Sequence, residues 1–309
     1  MTIHTGTGLQ PFYSRYQSEQ DYSRYQSEQD CMEALIAMKW PSGFVCPRCD
    51  HTGCSRLNSR RVPLFECGRC KHQTSALVGT IFEGTRVPLL KWFMALDLFL
   101  LPDGISAMRL SQVIEVTYKT AWLMLHKIRY AVGEFDAREL LYGDVKVNSD
   151  QYGRNPSRVT VSHPHASAVV AGCTVTESGE PQQVRFRLVP QKRGSDTRAA
   201  RRDLTAFISE HVDSHSSDVE LFSQAFRLYA PLRNIVRETW KSLKSTYGAL
   251  GQKHLQAYLN EFTARRQLHL SKPEKTMGQI LLQKCMVIPR ISYHQLIGHR
   301  PIQPLAAVA

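Results

Sequence analysis

Four cysteines form two matched pairs, Cys46-Pro-Arg-Cys49 and Cys67-Gly-Arg-Cys70, with seventeen residues between them. Two such knuckles can bring four thiolates to the corners of a tetrahedron, the geometry Zn²⁺ takes in structural sites. Pro47 and Gly68 suit the tight turns, and Arg61–Glu66 reads as a strand entering the second knuckle. The pattern is that of a zinc ribbon, with structural Zn²⁺ on Cys46, Cys49, Cys67 and Cys70. Four protein ligands leave no position open for water, so this is a scaffold and not a hydrolytic centre. Two disulfides are the competing pairing and need an oxidising compartment. The first thirty residues are polar, without the apolar run of a secretory signal, which points to the cytoplasm. Cys54, His51 and His72 are surplus to the site, and Cys31, Cys173 and Cys285 read as small buried hydrophobes.

Residues 86–135 must supply the next elements. Leu89, Trp92, Phe93, Leu96 and Leu100 recur at helical spacing, and Pro102-Asp-Gly104 stops that helix. A second helix is expected over about Ser106–Ile114. A third begins near Thr117 with Ala121, Leu125, Ile128 and Val132 inward. The short Glu115–Thr117 connection makes the last two a helix-turn-helix, whose outward face would offer Tyr118, Lys119, Thr120, Lys127 and Arg129 to DNA.

The chain has 309 residues, 42% apolar and 21% charged, the composition of folded domains. Its net charge is +12, divided as −2 over residues 1–30, +5 over 31–135 and +9 over 136–309. A basic field spread over the folded body favours double-stranded DNA as partner. The most apolar stretch, Leu89–Leu101, is too short and too charged for a membrane span. Tyr13–Asp21 is repeated without change as Tyr22–Asp30. The first copy is expected to be the added and poorly packed one.

Several runs carry a family resemblance. They are Asp30-Cys31, Lys39–Cys49, Gln73-Thr-Ser75, Gly79-Thr80, Pro88-Leu89, Lys91-Trp-Phe93, Gly104-Ile-Ser106, Tyr118–Trp122 and Leu125–Arg129. In order and spacing they resemble the zinc-ribbon DDE transposases of bacterial insertion sequences, of the insertion sequence 1595 or ISXO-like type. The resemblance implies an α+β multidomain chain: a zinc ribbon over 31–84, a helix-turn-helix segment over 85–135 and an RNase H-like mixed α/β domain over 136–297. Residues 1–30 precede these and 298–309 form a tail. Strand patterns at Asp144–Asn148, Ala168–Val175, Val184–Val189 and Val219–Ser223 suit that domain, as do helical patterns at Arg198–Val212, 235–247 and 253–266. Transposases of this type act as multimers, so a homodimer is also expected.

The resemblance further implies three acidic positions that hold two divalent ions for strand transfer. Here those positions carry Asn148, Gln224 and Arg237. Asp150, Glu220 and Glu238 lie nearby, displaced along a strand or around a helix, and metal–oxygen bonds of about 2 Å do not tolerate such shifts. The expectation is a chain with no catalytic Mg²⁺: a transposase-derived DNA-binding protein, domesticated as a regulatory factor on the nucleoid. Basic surface is expected from Lys192-Arg193, Arg198, Arg201-Arg202 and Arg265-Arg266. Two alternatives stand beside it, an active DDE transposase with its acids elsewhere, and a protein-binding adaptor or decaying remnant.

Overall fold

The computed structural model describes residues 25–153, 166–190, 199–222, 228–271 and 273–298. In chain order its elements are α1 (Glu28–Lys39), β1 (Cys54–Leu57), β2 (Leu64–Cys67), β3 (Gln73–Thr74), α2 (Leu89–Phe99), α3 (Ala107–Val113) and α4 (Tyr118–Asp136). There follow β4 (Leu141–Tyr152), β5 (Ser167–Val175), β6 (Pro181–Leu188), α5 (Arg201–His211), β7 (Val212–Phe222), α6 (Ala230–Tyr247), α7 (Gln252–Ser271), α8 (Glu274–Val287) and α9 (Tyr293–Ile297). Two compact units divide them. One gathers residues to Leu101 with Ala107–Ala131 and Pro273–Leu296, and the other gathers Pro102–Ser106 with Val132–Lys272 and Ile297 onward.

In the first unit, Ser27 and Asp30 cap α1 reciprocally. The Ser27 hydroxyl accepts from the Asp30 N–H at 3.1 Å, and the Asp30 carboxylate accepts from the Ser27 N–H at 2.9 Å. Glu28 accepts from the Leu89 and Leu90 N–H groups at 2.9 and 3.1 Å, setting a carboxylate at the positive end of α2. Tyr25 packs edge-on against Phe93 at 4.6 Å. The second copy of the nine-residue repeat thus contributes Tyr25, Ser27, Glu28 and Asp30 to this packing. The first copy lies outside the described residues.

Between α3 and α4 the chain turns through Ile114–Thr117. Glu115 is left-handed, with φ 52°, and the Val116 N–H reaches back to the Ser111 carbonyl at 3.0 Å, a Schellman closure. The Thr117 hydroxyl then accepts from the Thr120 N–H and starts α4. A left-handed Glu carries a Cβ penalty that glycine escapes. Glu115→Gly is therefore expected to raise the melting temperature, by the equivalent of about 0.5–1 kcal/mol. A lower melting temperature in a thermal scan would refute this.

The helix α8 was not expected from the sequence. Pro273 ends the preceding helical run, and Met277, Leu281, Leu282, Cys285 and Met286 are buried where α8 packs on α1 and α2. Pro273–Leu296 thus groups with the first unit.

The second unit is built on a four-stranded sheet of order β6-β5-β4-β7, antiparallel except for the β4/β7 pair. Central β5 is buried on both faces, which is why its sequence runs apolar without alternation. On one face Val169, Ala171, Val184 and Phe186 meet Leu232, Val236, Leu243 and Leu259 of α6 and α7. On the other, Val145, Val147, Ala168 and Val170 meet Leu204 and Phe207 of α5. Gly172 sits beneath the Phe207 ring, where a Cβ would be 2.4 Å from the ring carbon. The β6 edge is closed by a side chain: the Gln256 amide accepts from the Leu188 N–H at 2.7 Å and donates to the Phe186 carbonyl at 2.9 Å.

His211 ends α5 against Phe207, with Glu210, Arg185 and Arg187 around it. Burial pushes its imidazole from 6.5 down to about 4, Glu210 opposing and the two arginines adding to the shift. The unfolded chain binds this proton below about pH 6.5 and the folded chain does not. Stability is therefore intact at neutral pH and falls as pH drops through the window from 6.5 to about 4, by about 3 kcal/mol in all. Denaturant titrations at pH 7 and 4.5 should show that loss, and His211→Gln should shrink it.

Candidate metal centre and nucleic-acid interface

The two knuckles have the same backbone design. The Asp50 N–H donates to the Cys46 carbonyl and the Cys46 N–H to the His51 carbonyl, both at 3.0 Å. The Lys71 N–H donates to the Cys67 carbonyl at 3.1 Å and the Cys67 N–H to the His72 carbonyl at 3.0 Å. Asp50 and Lys71 both take left-handed φ, 56° and 57°, which reverses the chain after each pair. Behind the knuckles Phe44 and Phe65 are buried with Trp40 edge-on to both, and Arg56 lies over Phe65 while bonding Glu33 of α1.

This frame brings the four sulfurs within 4.8 Å of one another. Cys46–Cys70 and Cys49–Cys67 are each 3.6 Å apart. A tetrahedral ion with Zn–S bonds of about 2.3 Å sets sulfur–sulfur edges of about 3.8 Å, so the donor set fits Zn²⁺. The thiols are also in electrostatic conflict. Backbone N–H groups of Cys70 and Arg69 help pull Cys67 down to about 6. Cys49, although bonded by the His51 N–H, is pushed up to about 12 by the sulfurs of Cys70, Cys67 and Cys46. A dication resolves this by stabilising all four as thiolates. Cys54, His51 and His72 lie outside the cluster.

The residues expected to face DNA separate into two groups. Tyr118 is 50% exposed and Lys119 is exposed at the start of α4, and Arg201 and Arg202 are exposed at the start of α5. Thr120 is half-buried, its hydroxyl shared with Thr117 at 2.9 Å. Lys127 and Arg129 correct the expectation. Lys127 is half-buried and donates to the Ile81 carbonyl at 3.2 Å, and burial lowers its ammonium pKa. Arg129 is 1% exposed. The reason is helical period: position 129 is four past Leu125 and so shares the inward face with it. Arg265 is corrected likewise. It is 2% exposed and bonded at 2.7 Å to buried Glu261, which also accepts from the Tyr247 hydroxyl at 2.6 Å. Lys192, Arg193 and Arg198 lie outside the described residues.

Of the three acidic positions, Gln224 is also outside them. Asn148, on β4, is 1% exposed and engaged through both polar atoms of its side chain. Its Nδ2 donates to the Tyr229 carbonyl and its Oδ1 accepts from the Tyr229 N–H, both at 3.0 Å. That pair of bonds ties β4 to the residue that caps the start of α6. One pleat away on the same face, the Lys146 ammonium bridges Asp144 at 2.9 Å and Glu220 at 2.8 Å. Two of the acids considered as substitutes are thus occupied or shielded, and the third, Glu238, is exposed on α6. Glu220 holds Lys146, and burial raises the Asp150 carboxyl against the opposing charges of Arg233 and Arg237. Arg237 itself is exposed on α6. Among the described residues, the four cysteines are the one convergent group of three or more His, Cys, Asp or Glu ligands. Sequence reasoning did not find the Asn148–Tyr229 clamp or the bridging role of Lys146, because Tyr229 and Glu220 lie more than seventy positions from them.

Comparison with known proteins agrees with this geometry. Residues 26–73 match the family described as a transposase zinc-ribbon domain, of insertion sequence 1595 type. Over 116 residues the chain is 31% identical to an uncharacterized protein in transposable element ISH50 of Halobacterium salinarum. That alignment covers 37% of this chain and spans 38% of the relative's length. Among the described residues, no helix is long and apolar enough to cross a membrane.

Proposed function

We propose that this chain is a transposase-derived DNA-binding protein that keeps the binding equipment and has lost strand transfer. Cys46, Cys49, Cys67 and Cys70 hold a structural Zn²⁺. The ribbon and the α3–α4 helix-turn-helix bind double-stranded DNA, with Tyr118 and Lys119 at the DNA and Arg201 and Arg202 adding phosphate contacts. The second unit is a degenerate RNase H-like domain, a reading supported by its mixed sheet with helices on both faces. The protein acts on the chromosome as a domesticated regulatory factor, alone or as a homodimer. Zn²⁺ supplies folding energy to the ribbon and no chemistry at DNA.

The observation that carries loss of catalysis is the pair of hydrogen bonds between the Asn148 side chain and the Tyr229 backbone. A side chain spent on closing the fold is not free to hold a hard cation, and a neutral amide is a poor ligand for Mg²⁺. Binding is supported by the family match over residues 26–73, the net charge of +12 and the exposed start of α4.

Mapping of DNA fragments retained by the pure protein, with and without Mn²⁺, tests the proposal. Selective retention without cleavage is expected, and divalent-dependent cutting would overturn the loss of catalysis. Lys119→Ala should weaken binding at every sequence retained and lower the slope of log K against log salt by about 0.9, one phosphate contact. An unchanged slope would remove Lys119 from the interface.

A further inference from the structure

We propose that Cys54 and Cys67 form a peroxide-sensitive pair, whose oxidation to a disulfide strips one ligand from the four-cysteine centre. This rests on the reading of that centre as a zinc site. Cys54 lies on β1 directly opposite Cys67 of β2. The Gly68 N–H donates to the Gly53 carbonyl at 2.9 Å, while the Cys67 N–H turns away to His72. Cys54 and Cys67 are therefore a non-hydrogen-bonded antiparallel pair, the closer kind. Such pairs have Cα atoms about 4.5 Å apart and side chains on one face of the ladder. Disulfides bridge Cα separations of about 4.4–6.8 Å, so this pair can close without moving the strands.

The two sulfurs differ in access and in duty. Cys54 is exposed and Cys67 is buried in the metal centre. Among the described residues Cys54 is the one exposed cysteine. It adds nothing to the core and is surplus to a four-ligand site. Its position lets an oxidant reach a thiol that lies opposite one of the centre's ligands without entering the centre.

The chemistry balances with hydrogen peroxide as oxidant. The Cys54 thiol gives its proton to solvent and its sulfur attacks peroxide. An S–O bond forms, the O–O bond breaks and hydroxide leaves, giving a sulfenic acid. The Cys67 thiolate, which would otherwise serve as a metal ligand, attacks that sulfur. The S–S bond forms, the S–O bond breaks and a second hydroxide leaves. Two electrons have passed from the sulfurs to peroxide, and a Zn²⁺ held by the four cysteines would keep only Cys46, Cys49 and Cys70. A reducing thiol reverses the change.

The test uses the reduced full-length chain. Its zinc content is measured first, then peroxide is added, metal release is followed with a chromogenic chelator and disulfides are mapped by mass spectrometry. Zinc release together with a linked Cys54–Cys67 peptide is expected, and about tenfold slower release from Cys54→Ser and Cys54→Ala. Release from these variants at the wild-type rate would overturn the proposal. So would linkage of Cys46 to Cys49 or Cys67 to Cys70 in place of Cys54–Cys67. A reduced chain without zinc would refute the metal reading separately, and the peptide map would still decide the pairing.

Discussion

Chelation of the zinc at the four-cysteine centre will unfold the ribbon, and selective DNA binding will be lost with it. The strands β1, β2 and β3 have four, four and two residues, and the buried apolar side chains behind them reduce to Phe44 and Phe65 beside the cysteines. A core this small does not offset the conformational entropy of ordering the segment. A structural zinc contributes about 10–16 kcal/mol in such domains, enough to reverse the balance. Cys46→Ser or Cys67→Ser should act like chelation, and Cys54→Ser should leave the ribbon folded. The check is amide dispersion in NMR spectra of the zinc-loaded and chelated protein. Peaks of Phe44, Phe65 and Thr74 should collapse, while those of β4 and β5 persist. A ribbon that stays dispersed without metal would refute both the energetics and the assignment of the ion.

How much of this was legible in the sequence depends on the range of the interaction. The knuckles were readable because ligand type, spacing and turn chemistry all lie within a few residues. The helices α2 and α4 were readable from their period, and β5 from its unbroken apolar run. The helix α6 begins at Ala230, earlier than the expected 235, because Pro231 suits a first turn that shows no apolar period of its own. Arg129 defeats the expectation because its charge suggests exposure while its spacing from Leu125 sets it on the inward face. Arg265 was misplaced for want of its buried partner Glu261. Asn148 was recognised by position as a missing acid, and its bonds to Tyr229 were hidden because β4 and the start of α6 are distant in the chain and meet only once the sheet forms.

Restoring the acid by Asn148→Asp is expected to weaken the fold at neutral pH without restoring a metal site. The Asn amide satisfies both Tyr229 groups: its oxygen accepts from the N–H and its nitrogen donates to the carbonyl. An ionised carboxylate can keep the first bond, but it sets a buried negative charge against the carbonyl oxygen. A protonated carboxyl keeps both. The folded state therefore holds the proton, and the pKa of the new group rises above its unfolded value of about 4. Because the unfolded chain gives up that proton above about pH 4 and the folded chain does not, the variant's stability falls as pH rises from there. The variant should be close to wild type near pH 4 and weaker at pH 7 by up to about 4 kcal/mol, measured by denaturant titration at each pH. A position poised for a cation would behave otherwise, with Mg²⁺ or Mn²⁺ binding the carboxylate and restoring stability at pH 7. No such rescue is expected, because the Lys146 ammonium stands one pleat away and already holds Asp144 and Glu220. Rescue by the ion, with strand cleavage, would mean that a single substitution separates this chain from catalysis. The Tyr229 clamp would then be a consequence of losing the acid, with no part in holding the fold.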